Sequence, residues 1–190
     1  MTEKNAHVGD LDAWLADPAV RTRHRSEAGV DAAALWAVAQ TIRISDTRIL
    51  GRLIRWRVPG TSGNQTFREM FTSAPFVLLD EGDQHLFAGV CGKIWSPRPA
   101  LARLGDSREF GDWSVPGTAR VLFAQWVEPT ARGAALHSEV RVGPVDRSAR
   151  LGMRAIWPLI SRFEGLIGSE PLRLAARRAE QRAQGSASER

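Results

Sequence analysis

The sequence predicts an α+β protein in which a curved antiparallel sheet packs against one long helix at the C-terminus. Three observations predict this fold. Residues 76–142 contain segments that alternate with a period of two, as strands do, and turn sequences separate them. From Asp146 the apolar residues return to a helical period, and their stripe continues to about Arg182. Strands joined by hairpins, with helices confined to the ends, are typical of α+β folds.

The composition is that of a soluble globular protein with one domain. The chain has 190 residues, of which 43% are hydrophobic and 25% are charged, and this length supports one sizeable core. No apolar stretch is long enough to cross a bilayer. The one cysteine, Cys91, excludes an internal disulfide and a cysteine-cluster metal site. We expect an N-terminal arm at 1–17, a single domain at 18–182 and a disordered tail at 183–190. The alternative for the arm is that Leu11, Trp14 and Leu15 form one amphipathic turn that docks on the body.

The charge is unevenly distributed along the chain. The net charge is +5, and residues 147–190 hold nine arginines against four glutamates. A basic segment can contact nucleic acid or anionic lipid. The alternative is a solvated helix face, which we favour because no base-stacking or helix-turn-helix pattern accompanies the charge. We therefore expect no specific nucleic-acid partner. The N-terminus lacks the pattern of a signal peptide, so we expect a cytoplasmic protein.

Residues 20–72 contain the first strand and a group of short helices. Residues 20–27 alternate and carry arginine at every second position from 21 to 25, which predicts a strand with one wet face. An alanine-rich run predicts a helix at 32–42, and the Asp31 carboxylate can accept the free amide hydrogens of its first turn. Ser45 and Asp46 are expected to cap a second short helix, and residues 66–72 to form a third.

The later elements are strands followed by the terminal helix. Strands are predicted at 76–79, 85–95, 107–113, 119–127 and 134–142, with the weakest pattern at 107–113. Glycines interrupt 85–95, which indicates a bend or a group that packs close to the backbone. The terminal helix contains Pro158 and Pro171. Each proline removes one backbone hydrogen bond and should kink the helix.

The order of elements resembles the helix-grip architecture of the Bet v 1/START superfamily, also called SRPBCC or polyketide cyclase-like proteins. The similarity is closest to a largely uncharacterised actinobacterial branch. The segments that carry it are VDAAALW (30–36), LFAGVCGKIW (86–95), EVRV (139–142), DRSAR (146–150) and FEGLI (163–167). The resemblance implies a hydrophobic cavity between the sheet and the terminal helix. It implies no particular reaction, because the superfamily includes lipid carriers, hormone receptors and aromatase/cyclases.

Aromatic residues are the candidates for lining such a cavity. Each tryptophan offers a large apolar face and one hydrogen-bond donor. We expect Trp95, Trp126 and Phe87 to line the cavity from the sheet. From the terminal helix we expect Trp157, Ile160 and Phe163. The alternative for each aromatic residue is ordinary core packing.

Three ionisable residues share one face of the last strand and are candidates for catalysis. His137, Glu139 and Arg141 are spaced by two. Inside a cavity, Glu139 could act as a general base and Arg141 could hold an oxyanion. The alternative is a surface ion pair, which we favour because the opposite face of this strand is more apolar. Neither His24 nor His85 has a partner at a metal-ligand spacing, and we expect no metal or cofactor.

The leading hypothesis is a protein that binds a small hydrophobic or amphipathic ligand without catalysis. The first alternative is an enzyme of the cyclase/dehydratase kind acting on a polyketide-like substrate, as the resemblance implies. The second alternative is an interaction protein that uses the basic C-terminal helix. The sequence leaves a homodimer open.

Overall fold

The structure, a computed structural model, describes the backbone of residues 6–58, 60–96 and 99–188. Side chains are described for the same residues except 6–10, 57, 156–168 and 187–188. The elements in chain order are α1 (Ala6–Leu15), β1 (Val20–Ala28), α2 (Ala32–Ala39), α3 (Leu50–Arg57), α4 (Phe67–Phe71), β2 (Val77–Gly82), β3 (His85–Lys93), β4 (Ala100–Leu101), α5 (Ser107–Gly111), β5 (Ala119–Thr130), β6 (Gly133–Pro144) and α6 (Arg147–Ser188).

The predicted fold class is confirmed. The strands form one open, curved antiparallel sheet in the order β1-β6-β5-β3-β2, and the short β4 pairs with the end of β3. The long helix α6 packs against this sheet, most extensively beside β1 and β6. The arrangement is therefore a sheet that grips a C-terminal helix.

Local capping explains why several of the helices begin where they do. The Asp31 carboxylate accepts a hydrogen bond of 2.8 Å from the Ala34 amide at the start of α2, as predicted. Thr66 and Glu69 form a capping box at the start of α4. Asp146 accepts from the Ala149 amide at 2.8 Å and so caps α6. These side chains satisfy amides that the first turn of a helix leaves without partners.

Both faces of the sheet are buried, and each belongs to a separate core. We call the face toward α6 the concave face; it carries Leu86, Ala88 and Val90 of β3, with Val121 of β5 and Leu136 of β6 in the same core. The opposite face, the convex face, carries Phe87, Cys91, Leu122, Ala124 and Trp126. Successive side chains of a strand point to opposite faces, so β3 and β5 each contribute to both cores.

The helices α1 and α5 cover the convex face. Leu11 and Leu15 of α1 are 0% and 4% exposed, and they pack in the convex core. Phe110 of α5 is buried there too, with its ring edge-to-face against Trp14 at 6.5 Å between centroids. The expectation of a separate N-terminal arm at 1–17 is therefore wrong for residues 11–15.

The predicted strand at 107–113 is wrong, because residues 107–111 form the helix α5. The Asp106 carboxylate accepts from the Glu109 amide at 3.0 Å, and the Glu109 carboxylate accepts from the Gly105 amide at 2.8 Å. These two bonds satisfy the amides at the start of the helix. The alternating apolar residues of this segment could not reveal the cap.

The terminal helix α6 is longer than predicted. It runs as one helix from Arg147 to Ser188, through both prolines, so 183–188 are helical and not a disordered tail. Its buried residues past the second proline, Leu172, Ala175 and Ala179, recur at helical spacing against the concave core. Among the described residues, no helix is both long enough and apolar enough to cross a membrane.

Two glycines of β3 allow close approach, as their position in a strand predicted. A Cβ on Gly89 would lie 2.5 Å from a ring carbon of Phe110. Gly92 has φ of +150° and faces the Ala100 carbonyl, to which a Cβ would come within 2.2 Å. The first glycine makes room for α5 and the second for β4.

We predict that Gly89→Ala destabilises the fold by about 1–3 kcal/mol, because its methyl group would overlap the buried Phe110 ring. Gly185→Ala is the matched control. A Cβ there meets nothing within 4 Å, so the free energy of unfolding should stay equal or rise by up to about 1 kcal/mol. Urea denaturation measures both values. Equal stabilities for the two variants would contradict the close packing of α5 on β3.

Candidate functional site

A cavity of about 200 Å³ lies on the concave face. It is bounded by the middle of β5 and β6, by α3 and α4, and by the two residues Pro171 and Leu172 of α6. The short helices between β1 and β2 therefore form much of its wall. The residues that line it within the described part of the chain are Leu50, Ile54, Val58, Phe67, Met70, Phe71, Phe76, Phe123, Ala124, Gln125, Ser138, Glu139, Val140, Pro171 and Leu172.

Three phenylalanines form one continuous part of this wall. The rings of Phe71 and Phe76 meet edge-to-face, with centroids 5.4 Å apart and planes at 84°. Phe123 packs against both, at 5.3 Å from Phe71 and 5.6 Å from Phe76. These separations are typical of favourable aromatic pairs. The wall is therefore aromatic and apolar, and none of its rings is among the residues that we predicted to line the cavity.

Two neutral polar residues interrupt the apolar lining. Gln125 of β5 and Ser138 of β6 are directly opposite each other across the two strands, and both line the cavity. Gln125 also borders a smaller void of about 10 Å³ on its other side. Sequence reasoning missed this pair. The available signal was a polar residue at an inward position of each strand, between apolar neighbours two residues away.

Those predicted cavity residues whose side chains are described do not line the cavity. Trp126 and Phe87 belong to the convex core, so they lie on the face opposite to the cavity. Trp95 lies beside α6 at another point, where a Cβ on Gly152 would come within 2.6 Å of its indole nitrogen. The side chains of Trp157, Ile160 and Phe163 lie outside the described residues.

The three candidate catalytic residues also lie on the convex face. Glu139 and Arg141 are 1% and 0% exposed, so the expected surface ion pair is wrong. The Arg141 guanidinium donates from Nε to Glu139 Oε1 at 2.5 Å, and from Nη1 to Asp12 Oδ1 at 2.5 Å and the Leu15 carbonyl at 2.7 Å. The helix α1 buries the pair, because it supplies both of the last two acceptors.

The Glu139 carboxylate is held by further arginines from β1. Arg23 Nε donates to Glu139 Oε2 at 2.5 Å, and Arg21 Nε lies 3.3 Å from Glu139 Oε1. Both arginines lie opposite β6 in the strand register. The buried carboxylate therefore has three guanidinium neighbours, which compensate for its loss of water. Although the backbone of Glu139 borders the cavity, all these partners of its carboxylate lie on the other face.

His137 is the third member of this row and stacks on Trp126. Their ring centroids are 5.0 Å apart and their planes differ by 8°. Glu128 lies beside both rings. Trp126 Nε1 donates to Glu128 Oε1 at 2.9 Å, whereas His137 Nε2 lies 3.4 Å from Glu128 Oε2 and has no hydrogen-bond partner among the described residues. Burial lowers the pKa of His137, and the nearby Arg25 adds to this, whereas Glu128 acts in the opposite direction. The neutral imidazole is therefore the favoured form.

We predict that His137 makes the fold less stable in mild acid. Because its folded-state pKa is lowered, the unfolded chain binds more protons as the pH falls below the ordinary histidine value of about 6.5. The contribution to stability is complete above that pH and is lost as the pH falls through the lowered pKa. His137→Phe keeps a ring against Trp126 and removes the titration. The unfolding free energy of wild type should fall relative to that of the variant from pH 7.5 to 5 in urea titrations. Parallel curves would contradict the assignment.

The helix α3, which forms one side of the cavity, is capped by a residue of α6. The Glu170 carboxylate accepts from the Arg48 amide at 2.6 Å and from the Ile49 and Leu50 amides at 3.1 Å each. The helix has no side-chain cap from its own N-cap residue. The expected cap, Asp46, instead ends a 3-10 helix (Ile44–Asp46), where it accepts from the Arg43 amide at 3.0 Å and from Arg178 Nη1 of α6 at 2.6 Å. Two contacts with α6 therefore position this wall.

We predict that Glu170→Ala loosens α3 because three amides lose their acceptor, which costs about 0.5–2 kcal/mol for a lost helix cap. Amide hydrogen exchange at 50–57 should then become several-fold to about thirtyfold faster in proportion to that cost. Glu180→Ala is the matched control, since Glu180 lies on the same helix and accepts from one amide, that of Gly29, at 3.0 Å. Equal protection of α3 in both variants would refute the capping role.

The remaining chemistry-bearing groups offer no reaction centre in the described part of the chain. Cys91 is fully buried, and burial raises the pKa of its thiol to about 12, so the thiol stays protonated. No three histidine, cysteine, aspartate or glutamate side chains come together there in a way that could hold a metal ion. The cavity is therefore the best-formed candidate site.

Comparisons with known proteins add little to this description. Neither a protein-family model nor a curated protein sequence matches the chain. Among solved structures, it is similar to protein MLL2253 from Mesorhizobium loti, with 16% identity, 84% of this chain and 98% of that chain covered, and a TM-score of 0.34. It is also similar to protein CV1439 from Chromobacterium violaceum, with 10% identity, coverages of 84% and 96%, and a TM-score of 0.35. TM-scores this low support no conclusion about the function of this protein.

Proposed function

We propose that this protein binds a small hydrophobic or amphipathic molecule, without catalysis, in the cavity on the concave face. The observation that carries the proposal is the cavity itself, about 200 Å³ of space walled by phenylalanines and aliphatic side chains. Close-packed protein interiors contain few voids larger than a water molecule. Much of the apolar lining is partly exposed in the empty protein, and a bound apolar molecule would remove that surface from water.

The burial of the ionisable groups supports binding over acid–base chemistry. The Glu139 carboxylate is engaged by Arg23 and Arg141 on the convex face, and His137 stacks on Trp126 in the other core. None of these groups is available to a molecule in the cavity. Acid–base work on a cavity ligand needs such a group within hydrogen-bond reach.

The size of the cavity supports a small ligand over the polyketide-like substrate of the enzyme alternative. Pockets for drug-sized ligands measure about 300–1,000 Å³, whereas an apolar cavity of about 150 Å³ suffices for benzene. A volume of about 200 Å³ lies nearer to the second case. The alternative of a basic interaction helix stays a prediction, since Arg173, Arg177 and Arg182 of α6 are exposed but nothing described identifies a partner.

We predict that filling the cavity abolishes ligand binding. Val140 lines the cavity, and Val140→Phe would occupy part of the void and leave the protein folded. Native mass spectrometry of freshly purified wild type should detect a co-purifying small molecule that the variant lacks. Wild type should also gain thermal stability in toluene, and the variant should not.

Val115→Phe is the matched control for this experiment, because the same change is made at a residue that is 46% exposed and does not line the cavity. It should bind as wild type does. A protein that neither carries a small molecule nor responds to toluene would overturn the proposed function, and so would equal binding by Val140→Phe and wild type.

A further inference from the structure

One part of the cavity wall is polar, because Gln125 and Ser138 lie there. On β5 the inward neighbours of Gln125 are Phe123 and Val127, and on β6 those of Ser138 are Leu136 and Val140. Apolar residues at both positions would continue the same face of the sheet. In the described part of the chain, neither polar side chain forms a hydrogen bond. Both side chains are partly exposed, so their polar groups are accessible to a molecule that enters the cavity.

The opposite part of the wall is aromatic. Phe71, Phe76 and Phe123 contact one another with centroids 5.3–5.6 Å apart. Their faces and edges suit a further ring, because aromatic pairs in edge-to-face and offset arrangements gain energy beyond their buried area. Phe123 is also two residues from Gln125 on the same face of β5, so the aromatic and polar parts of the wall are adjacent.

Charge and size limit the occupant further. Glu139 is the one ionisable residue that borders the cavity among the described residues, and its carboxylate is bound by arginines on the convex face. A charged ligand would therefore lose its water without gaining a counter-ion from the described residues. An apolar cavity of roughly 150 Å³ holds benzene. This cavity measures about 200 Å³, so beside a single ring it has room for little more than one or two substituents.

From these three limits we infer that the occupant is a neutral, single-ring aromatic molecule with one hydrogen-bonding substituent, such as a phenol. Its ring packs against Phe71, Phe76 and Phe123, and its polar group exchanges hydrogen bonds with Gln125 and Ser138. The amide of Gln125 can donate and accept, and so can the hydroxyl of Ser138. The pair can therefore serve a hydroxyl group in both roles. This inference rests on the proposed function and names the ligand class of the same site.

The test compares four probes of similar size by isothermal titration calorimetry on the full chain. These are toluene, p-cresol, p-toluate and 1-hexanol. We expect p-cresol to bind about tenfold more tightly than toluene, the ratio that one net hydrogen bond supplies. Binding of p-toluate and 1-hexanol should be weaker than that of p-cresol, because the first is charged and the second has no ring.

Two variants assign the preference to the polar pair. In Gln125→Leu and Ser138→Val, p-cresol should bind no more tightly than toluene, while toluene binds at least as tightly as in wild type. Each substitution restores the apolar pattern of its strand, so we expect both variants to fold. Ser114→Val, at an exposed loop position away from the cavity, is the control and should keep the wild-type preference.

The outcomes separate this inference from the proposed function. Equal binding of toluene and p-cresol overturns the inference and leaves the proposed function standing, because toluene still occupies the cavity. If p-toluate binds most tightly, the inference that the ligand is neutral is overturned. If 1-hexanol binds most tightly, the inference that the ligand is aromatic is overturned. A cresol preference that survives in both variants overturns the role of Gln125 and Ser138. Failure of all four probes overturns the inference, and native mass spectrometry of the Val140→Phe variant then decides the proposed function.

Discussion

Burial of the central strands on both faces is the constraint from which the other features of this protein follow. The strands β3 and β5 carry large apolar side chains on each face, so a single long helix cannot cover them. On the concave side α6 packs together with α2, α3 and α4. On the convex side α1 and α5 complete a second core around Phe87 and Leu122. The side chains of β3 and β5 therefore lie mostly in one core or the other.

The convex core takes up the charged residues of β6. Glu139 and Arg141 are fully buried there, and Asp12 and the Leu15 carbonyl from α1 accept hydrogen bonds from Arg141 Nη1, whereas the buried Arg141 Nη2 has no hydrogen-bond partner among the described residues. Removing one partner from such a network is costly, since it leaves an uncompensated charge in a medium of low dielectric constant. The helix α1 is thus part of the domain, and the concave face keeps its apolar and neutral character.

The concave core is incomplete where the short helices meet the sheet. The helices α3 and α4 are short and make much of the cavity wall, and the Glu170 carboxylate of α6 caps the first turn of α3. A wall that is held by a cap and a few apolar contacts opens at a lower free energy than the strands beneath it. The same incomplete packing leaves the cavity between these short helices and the sheet.

Local patterns in the sequence were sufficient to determine the fold class, the central strands and the cap of α2, because alternation, helical spacing and capping act between residues that are near in the chain. They could not reveal which face of a strand meets α6, since β3 and β5 are apolar on both sides. For that reason Trp126 and Phe87 were assigned to the wrong face, and Glu139 to a surface pair. The cavity, the Gln125–Ser138 pair and the cap from Glu170 join residues that are distant in the chain. Long-range packing alone brings such residues together.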